Sequence, residues 1–317
     1  MTTSGWPVIL FAALLGLLVG SFLNVLIHRL PRMLEAAWDA DHLAWLHMQR
    51  DVVQNSGVSL PRGIERGIER GIEQGTTNAV STNTAPPKTT SPRFNLWLPA
   101  SHCPACSTPL RWFENIPVLS YLWLRGRCSH CQTRISSRYP LVELASALLA
   151  GYCVWRYGFT WPALAWFGFT ATLLSLALID WDTTYLPDSL TLPLLWGGLL
   201  ASAMGWTGTL LADAVWGAAI GYGSLRLVHE VFLRITGKEG MGHGDFKLLA
   251  AIGAWLGWPA LLPVLLLASI VGLIVGLALK ARNRLDASGQ LPFGPFLALG
   301  AVLCWTIGSN WLFQLLA

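Results

Sequence analysis

The fold is decided by residues 246–280, FKLLAAIGAWLGWPALLPVLLLASIVGLIVGLALK, which are almost entirely apolar. As one α-helix this stretch would be about 50 Å long, which exceeds the roughly 30 Å hydrocarbon core of a bilayer. The sequence GWPA at 257–260 interrupts it with a glycine and a proline, and this leaves a first helix of about 20 Å. We therefore predict two consecutive membrane helices that are separated at GWPA.

The rest of the chain has the same apolar character. Of its 317 residues, 53% are hydrophobic, only 12% are charged and 17 are tryptophan, whereas soluble globular proteins carry about 25% charged residues. Apolar stretches of bilayer-spanning length predict an all-α polytopic membrane protein with about eight transmembrane helices. We expect the first to be a retained anchor, since no signal-peptide pattern surrounds it. The predicted spans are 7–28, 140–157, 159–179, 189–206, 209–235, 246–258, 259–280 and 293–315.

The distribution of positive charge predicts the orientation. Of the 21 Lys and Arg residues, 13 lie in one long loop, 29–139, and six more flank two short loops that fall on the same side if the spans alternate. The positive-inside rule places that side in the cytoplasm and both termini in the periplasm. The basic residues do not form a groove-entering motif, so we expect the lipid bilayer and no nucleic acid as partner.

The predicted domain organisation follows the spans. Residues 1–30 form the first transmembrane anchor, 31–139 form the cytoplasmic loop, and 140–317 form a seven-helix membrane domain. Within the loop, 51–92 has a Ser-, Thr-, Asn- and Pro-rich composition that is typical of a flexible insertion. It contains the repeat RGIERGIERGIEQG, which we interpret as a weak helix or a linker without a catalytic role. The remainder, 94–139, contains the cysteines of the loop.

Two C-x-x-C pairs predict a metal site in the loop. They are Cys103 with Cys106 and Cys128 with Cys131, separated by 21 residues, which is the spacing of a zinc ribbon. The alternative is a pair of disulfides. Because thiols stay reduced in the cytoplasm, we favour Zn²⁺ held by four thiolates in a zinc-ribbon-like loop.

Two acidic residues at the membrane face indicate possible catalysis. Asp180 ends the third span and Asp245 begins the sixth, directly after Gly242 and Gly244 of a G-x-G-D string. Ionisable residues at bilayer depth tend to be functional. Two neighbouring carboxyl groups share a proton, so one activates water while the other polarises a carbonyl, as in aspartic proteases. Glycines allow the backbone to lie close to the acid and leave room for an extended peptide.

Each nearby polar residue has an alternative interpretation. Asp188 follows a proline and precedes a helix, so an N-cap role is the simplest reading. Asp182 is either a solvated loop residue or a rival of Asp180, although on a continuing helix it points about 200° away. Lys247 is explicable as an interfacial cation. Buried carboxylates also occur in transporters, and a zinc ribbon also occurs in membrane scaffolds that dock partner proteins.

Four motifs, taken together and in order, resemble the bacterial type IV prepilin leader peptidase/N-methyltransferases, a family of GxGD membrane aspartic peptidases. The motifs are GSFLNVLIHRLP (20–31), CPAC…RWFENIPVLSYLWLRGRCSHC…ISSRYPLVE (103–143), LIDWDTTYLPDSLTLPLLW (178–196) and EGMGHGDFKLLAAIGAWLG (239–257). With the span pattern, the resemblance covers nearly the whole chain outside 35–92.

The resemblance implies an eight-span enzyme of the bacterial inner membrane. Such enzymes cut prepilin and pseudopilin precursors of type IV pili and type 2 secretion systems after a glycine at the cytoplasmic face. They then methylate the new N-terminus with S-adenosyl-L-methionine. The catalytic aspartates of the D-x6-P-[DN] and G-x-G-D patterns fall on Asp180 and Asp245. No G-x-G-x-x-G motif is present, so no residue is assigned to the methyl donor.

Overall fold

The computed structural model of the chain describes residues 5–56, 95–98, 100–103, 105–237, 241–282 and 291–308. Over these residues the regular secondary structure is helical, apart from two isolated β-bridges, and turns and irregular segments connect the helices. The α-helices are α1 (Trp6–Ser56), α2 (Leu119–Trp123), α3 (Arg138–Tyr157), α4 (Trp161–Thr183), α5 (Asp188–Ala203), α6 (Leu211–Thr236), α7 (His243–Leu256), α8 (Leu261–Ala281) and α9 (Gly294–Ile307). Two 3-10 helices cover Trp112–Asn115 and Trp258–Ala260.

Each of the eight predicted spans contains a helix within the described residues, and this confirms the mainly helical fold. Three segments of the described chain are long and apolar enough to cross a bilayer, namely Trp6–Gln49, Trp161–Thr183 and Trp258–Ala281. The last helix, α9, is a shorter apolar helix. The number of eight membrane crossings therefore stays a prediction.

The first helix is much longer than the predicted anchor. It runs for 51 residues and continues through Pro31 to Ser56, which at 1.5 Å per residue is about 76 Å. The helix therefore continues into the segment 31–139 that we predict to be the cytoplasmic loop, because helix-forming residues follow the end of the apolar run. Residues 57–92, which include the repeat, lie outside the described residues.

The predicted break at GWPA is confirmed. Helix α7 has 14 residues and ends at Leu256, and the 3-10 turn Trp258–Ala260 leads directly into α8. Gly257 adopts φ +81°, a conformation that L side chains rarely adopt. The glycine therefore ends α7, and the proline after it starts a new helix direction.

The chain divides into two compact units. The larger consists of Met1–Ile27 and Arg111–Ala317. Its most buried element is α7, which packs against α5, α6 and α9. Phe246, Leu248 and Ile252 of this helix are fully buried. Asp245 therefore stands at the beginning of the central helix of this unit.

The smaller unit, His28–Leu110, contains the second part of α1 and the first cysteine pair. Arg29 is buried, and its guanidinium donates hydrogen bonds to the carbonyl oxygens of Asn95 at 3.0 Å and Leu96 at 3.3 Å. This Arg29 cluster joins α1 to the segment that leads into the cysteines.

Candidate active site

Asp180 lies in the last turn of α4 and is 4% exposed. The helix ends because Thr184 takes the left-handed conformation, and the Thr184 N–H donates to the carbonyl oxygen of Asp180 at 2.8 Å. The side chain of Asp180 accepts a 2.9 Å hydrogen bond from the backbone N–H of Gly294, the first residue of α9. The end of α4 thus holds a buried carboxyl group against another helix.

Asp245 lies in the first turn of α7 and is 8% exposed. A Cβ at Gly244 would lie 2.8 Å from the Cβ of Leu186, so the close approach of these two segments requires glycine there. Gly242 is different, because an added Cβ would be 3.9 Å from Asp245 Oδ2 and its φ is −72°. The packing around Asp245 therefore accounts for Gly244 and gives no steric reason for Gly242.

The two carboxyl groups, Asp180 and Asp245, interact electrostatically. They come from the C-terminal end of α4 and the N-terminal end of α7, and both are buried. Two carboxyl groups that repel each other when both are ionised can together provide one base and one acid to a bound substrate. This is the functional group set for attack of water on a peptide carbonyl.

Asp182 points away from this pair. It is exposed, and its carboxylate forms a 2.7 Å ion pair with Arg138 at the start of α3. The same guanidinium donates to the carbonyl oxygen of Leu178 at 3.2 Å. Asp182 therefore ties the start of α3 to the end of α4, and Asp180 is the aspartate that faces the interior.

The predicted N-cap role of Asp188 was wrong. Pro187 is the N-cap of α5 and Asp188 is the first residue of the helix, with no side-chain capping bond. Instead, Lys247 Nζ donates to both carboxylate oxygens of Asp188, at 2.7 and 2.6 Å. Lys247 is thus an ion-pair partner as well as a cation near the helix end. The pair connects the start of α5 with the first turns of α7, beside Asp245.

Gly294 was missed at the level of the sequence. It lies in LPFGPF, a glycine between prolines and phenylalanines just before an apolar run. The signal that could have identified it is a glycine directly before Pro295 at the beginning of the last apolar run, because proline favours the first turn of a helix. Its partner, Asp180, is 114 residues away along the chain, so spacing alone does not reveal the contact.

Each C-x-x-C pair forms a tight turn of the same design. In the first, the Cys103 N–H donates to the carbonyl oxygen of Thr108 at 3.0 Å, and Ser107 donates to Cys103 at 2.9 Å. In the second, Cys128 donates to Thr133 at 2.9 Å.

Each turn contains a non-glycine residue with positive φ, Ser107 at 56° and Gln132 at 57°. A threonine hydroxyl also lies 3.3 Å from the second sulfur of each turn. The recurrence of the same unusual backbone in both pairs indicates a shared structural purpose.

The four cysteines together form a possible metal site. The sulfur atoms of Cys103, Cys106, Cys128 and Cys131 all lie within 4.8 Å of one another, and none of them forms a disulfide. The disulfide alternative is therefore not what the structure has. The neighbouring His102 contacts the carbonyl oxygen of Ala100 at 3.1 Å and is not part of the cluster.

Two family models together match most of the chain. Residues 14–157 match the Bacterial Peptidase A24 N-terminal domain, a range that contains all four cysteines. Residues 167–277 match the Type IV leader peptidase family, a range that contains Asp180 and Asp245.

Similar proteins carry the name Prepilin leader peptidase/N-methyltransferase. One from Stutzerimonas stutzeri is 43% identical over 299 residues, which is 94% of this chain and 90% of the relative. One from Pseudomonas aeruginosa is 44% identical with the same coverage. One from Pseudomonas putida is 47% identical over 92% of this chain and 88% of the relative. No solved structure matches the chain.

Proposed function

Because the chain belongs to the type IV leader peptidase family, we propose that it is a membrane aspartic endopeptidase that removes the leaders of prepilins and pseudopilins. This membership confirms the resemblance that the motifs predicted. The similar proteins are named as N-methyltransferases too, so the enzyme also methylates the N-terminus that cleavage creates. The observation that carries the proposal is the buried carboxyl pair, Asp180 and Asp245.

The chemistry needs no covalent intermediate. The ionised member of the pair takes a proton from water as the water oxygen attacks the peptide carbonyl, and the protonated member donates to the carbonyl oxygen. Collapse of the tetrahedral intermediate breaks the C–N bond. The leaving amine takes the proton that the base had removed from water, and a hydroxyl of the intermediate returns its proton to the other carboxylate as the new carboxyl group forms. Both acids return to their starting state, because hydrolysis consumes one water and releases no net proton from the enzyme.

The substrate is proposed to enter with its apolar helix in the bilayer and its basic leader in the cytoplasm. The exposed faces of the described helices support this, because they carry large apolar side chains such as Leu148 of α3 and Leu273 of α8. We assign the protein to the bacterial inner membrane, with the loop that contains the cysteines in the cytoplasm and both termini in the periplasm. This orientation follows from the distribution of Lys and Arg.

We propose that the cysteine cluster holds a structural Zn²⁺. Tetrahedral zinc with Zn–S bonds of about 2.3 Å places its sulfurs about 3.8 Å apart, and the four sulfurs lie within 4.8 Å of one another. The donor set therefore fits. Bound zinc would fix the two turns, Cys103–Cys106 and Cys128–Cys131, and add folding free energy without taking part in cleavage.

The methyl donor is proposed to be S-adenosyl-L-methionine, on the basis of the relatives' name alone. The described residues contain only isolated β-bridges and no β-strand, so they do not build the strand–loop–helix site of a dinucleotide-binding fold. No residue of the chain is assigned to this cofactor, and no step of methyl transfer is derived.

Cleavage is tested by mass spectrometry of a prepilin incubated with the detergent-purified protein and S-adenosyl-L-methionine. We expect leader loss and one added methyl group with the wild type, and an uncut substrate with Asp180→Asn or Asp245→Asn. The matched control is Asp182→Asn, which removes an exposed acid two residues from Asp180 and should leave most of the cleavage. Cleavage by both Asp180→Asn and Asp245→Asn would refute the assignment of these two residues as the catalytic dyad. An uncut substrate with the wild type would favour the transporter and scaffold alternatives.

Zinc is tested by metal analysis of the purified protein. We expect about one zinc per chain in the wild type, as four thiolates bind one ion, and loss of the metal in Cys128→Ser. Cys153→Ser is the control, because Cys153 is buried in α3 and does not belong to the cluster. A zinc-free wild type, or zinc retained by Cys128→Ser, would contradict the proposal.

A further inference from the structure

The start of α9 contacts the candidate catalytic pair directly. The backbone N–H of Gly294 donates to Asp180 Oδ2 at 2.9 Å, and this bond is buried. An added Cβ at Gly294 would lie 2.7 Å from the same oxygen and 3.2 Å from the carboxyl carbon of Asp180. Real Cβ atoms essentially never approach other atoms so closely. Any residue larger than glycine at this position must therefore displace the carboxyl group or the helix.

The other backbone N–H groups at the start of α9 have different partners. Helices leave their first N–H groups without intrahelical partners. Here Pro295 has no N–H, and Phe296 and Leu297 both donate to the carbonyl oxygen of Phe293, at 3.1 and 3.2 Å. Gly294 is therefore the residue of the first turn whose N–H reaches the carboxyl group of Asp180.

The position of Asp180 in α4 makes a donor to its carboxylate favourable. It lies in the last turn of that helix, where the unpaired carbonyl groups create a partial negative charge that opposes a carboxylate. Lys or Arg often offsets this charge at helix ends. The last turn of α4 contains no basic residue of its own, and Arg138 of α3 contacts the exposed Asp182 and the Leu178 carbonyl oxygen there. The N–H of Gly294 and the positive end of α9 offset the field from the other side.

We propose that Gly294 is a positioning residue for cleavage. Its N–H fixes Asp180 so that Oδ2 is occupied as an acceptor and Oδ1 is the oxygen that exchanges a proton with water. Its missing side chain is what allows α9 to lie against the carboxyl group. The inference rests on the proposed function, because it takes Asp180 as a member of the catalytic pair.

The test compares Gly294→Ala with Gly300→Ala in the full-length protein. Gly300 is a matched control on the same helix, since its added Cβ would meet the carbonyl oxygen of Val264 at 2.8 Å without touching Asp180. For Gly294→Ala we expect kcat for prepilin cleavage to fall about 100-fold, as for a misplacement of about 1 Å, with KM changed less than threefold. Methylation of a pre-cleaved pilin peptide should be unchanged. Gly300→Ala should lower thermal stability while its folded fraction keeps a normal kcat.

The outcomes separate this inference from the proposed function. If the wild type cuts prepilin and Asp180→Asn does not, a normal kcat for Gly294→Ala overturns the positioning role alone. Equal losses of kcat in Gly294→Ala and Gly300→Ala would also overturn it, because they would indicate general disruption of α9. If the wild-type protein does not cleave prepilin, the proposed function itself is refuted.

A second measurement covers the case in which Gly294→Ala is poorly folded. The thermal stability of Gly294→Ala is compared in the wild-type and Asp180→Ala backgrounds. Because the clash is with the carboxyl group, we expect Gly294→Ala to be destabilising in the first background and nearly neutral in the second. The same destabilisation in both backgrounds would place the clash elsewhere and refute the inference.

Discussion

Lys247 follows Asp245 by two residues, and its ammonium contacts both carboxylate oxygens of Asp188. At the level of single residues this ion pair is a charge contact two residues along the chain from Asp245. It holds the start of α5 against the first turns of α7. The side chains of Lys247 and Asp188 are 31% and 50% exposed, so water screens the attraction and we expect about 0–1 kcal/mol from it. Its main effect should therefore be on the position of α5 relative to the first turns of α7, and not on stability.

A double-mutant cycle with Lys247→Met and Asp188→Asn tests this role. We expect each single change to lower kcat for cleavage by about tenfold and the double variant to be no worse than either, since both break the same contact. The matched control is the exposed pair Glu230 and Arg234, which lie 3.0 Å apart within α6. Additive effects of Lys247→Met and Asp188→Asn, or an equal loss with Glu230→Gln, would contradict it.

The sequence was informative about single residues only where a local pattern carries chemistry. The G-x-G-D string singled out Asp245, the resemblance to the leader peptidases singled out Asp180 through its D-x6-P-[DN] pattern, and both residues are buried. The contacts that fix them join residues 59 and 114 positions apart, Asp188 with Lys247 and Asp180 with Gly294. No single sequence pairs such residues, so Asp188 was read as a cap and Gly294 was missed.

At the level of elements, glycines allow α6 and α7 to touch along their backbones. An added Cβ at Gly217 would overlap the carbonyl oxygen of Gly253, and one at Gly221 would lie 2.8 Å from the carbonyl oxygen of Leu249. The four-residue spacing of small residues is typical of close helix contacts in membranes. This contact sets the position of α7 and hence of Asp245 at its start.

Gly217→Val should therefore separate the two helices. We expect overpacking to cost about 1–3 kcal/mol of stability and to lower cleavage, measured as thermal unfolding in detergent and as kcat. Gly223→Ala on the same helix is the control, because an added Cβ meets nothing within 4 Å. A variant Gly217→Val as stable as Gly223→Ala would show that the close approach is not needed.

The positions of the helices were predictable because each depends on a local apolar run. The end of α1 was not, since loss of apolar character at Pro31 marks the limit of a span and not the end of a helix. Polar residues remain helical outside the bilayer when they favour helix, as those of α1 do up to Ser56. The break at Gly257 was predictable because glycine and proline act locally.

At the level of the whole molecule, the proposed alternation of the helices across the bilayer would place Asp180 and Asp245 at one face. Asp180 ends α4, and Asp245 begins α7 after two further helices. If α4 runs toward the cytoplasm, α5 runs away from it and α6 returns, so both acids are cytoplasmic. The same reasoning places the loop between α5 and α6 in the periplasm, and it depends on the positive-inside rule.

Alkaline phosphatase fusions test this topology, because the enzyme is active only after export. We expect an active fusion after Gly208, between α5 and α6, and an inactive one after Gly237, at the end of α6. The reverse pattern would show the opposite orientation in the membrane, with Asp180 and Asp245 at the periplasmic face. Two active or two inactive fusions would mean that α6 does not cross the membrane.

The central claim is that Asp180 and Asp245 act as one catalytic unit, and kinetics of the double variant test it most directly. Residual cleavage of a prepilin is measured for Asp180→Asn, Asp245→Asn and the two together, with protein folding verified by thermal unfolding in detergent. Groups that act as a unit give grossly non-additive losses. We predict that each single variant loses at least about 1,000-fold in kcat, as expected when a general acid or base is removed, and that the double variant is no worse. A loss in the double variant equal to the product of the two single losses would contradict the account. Substantial cleavage by either single variant would contradict it as well.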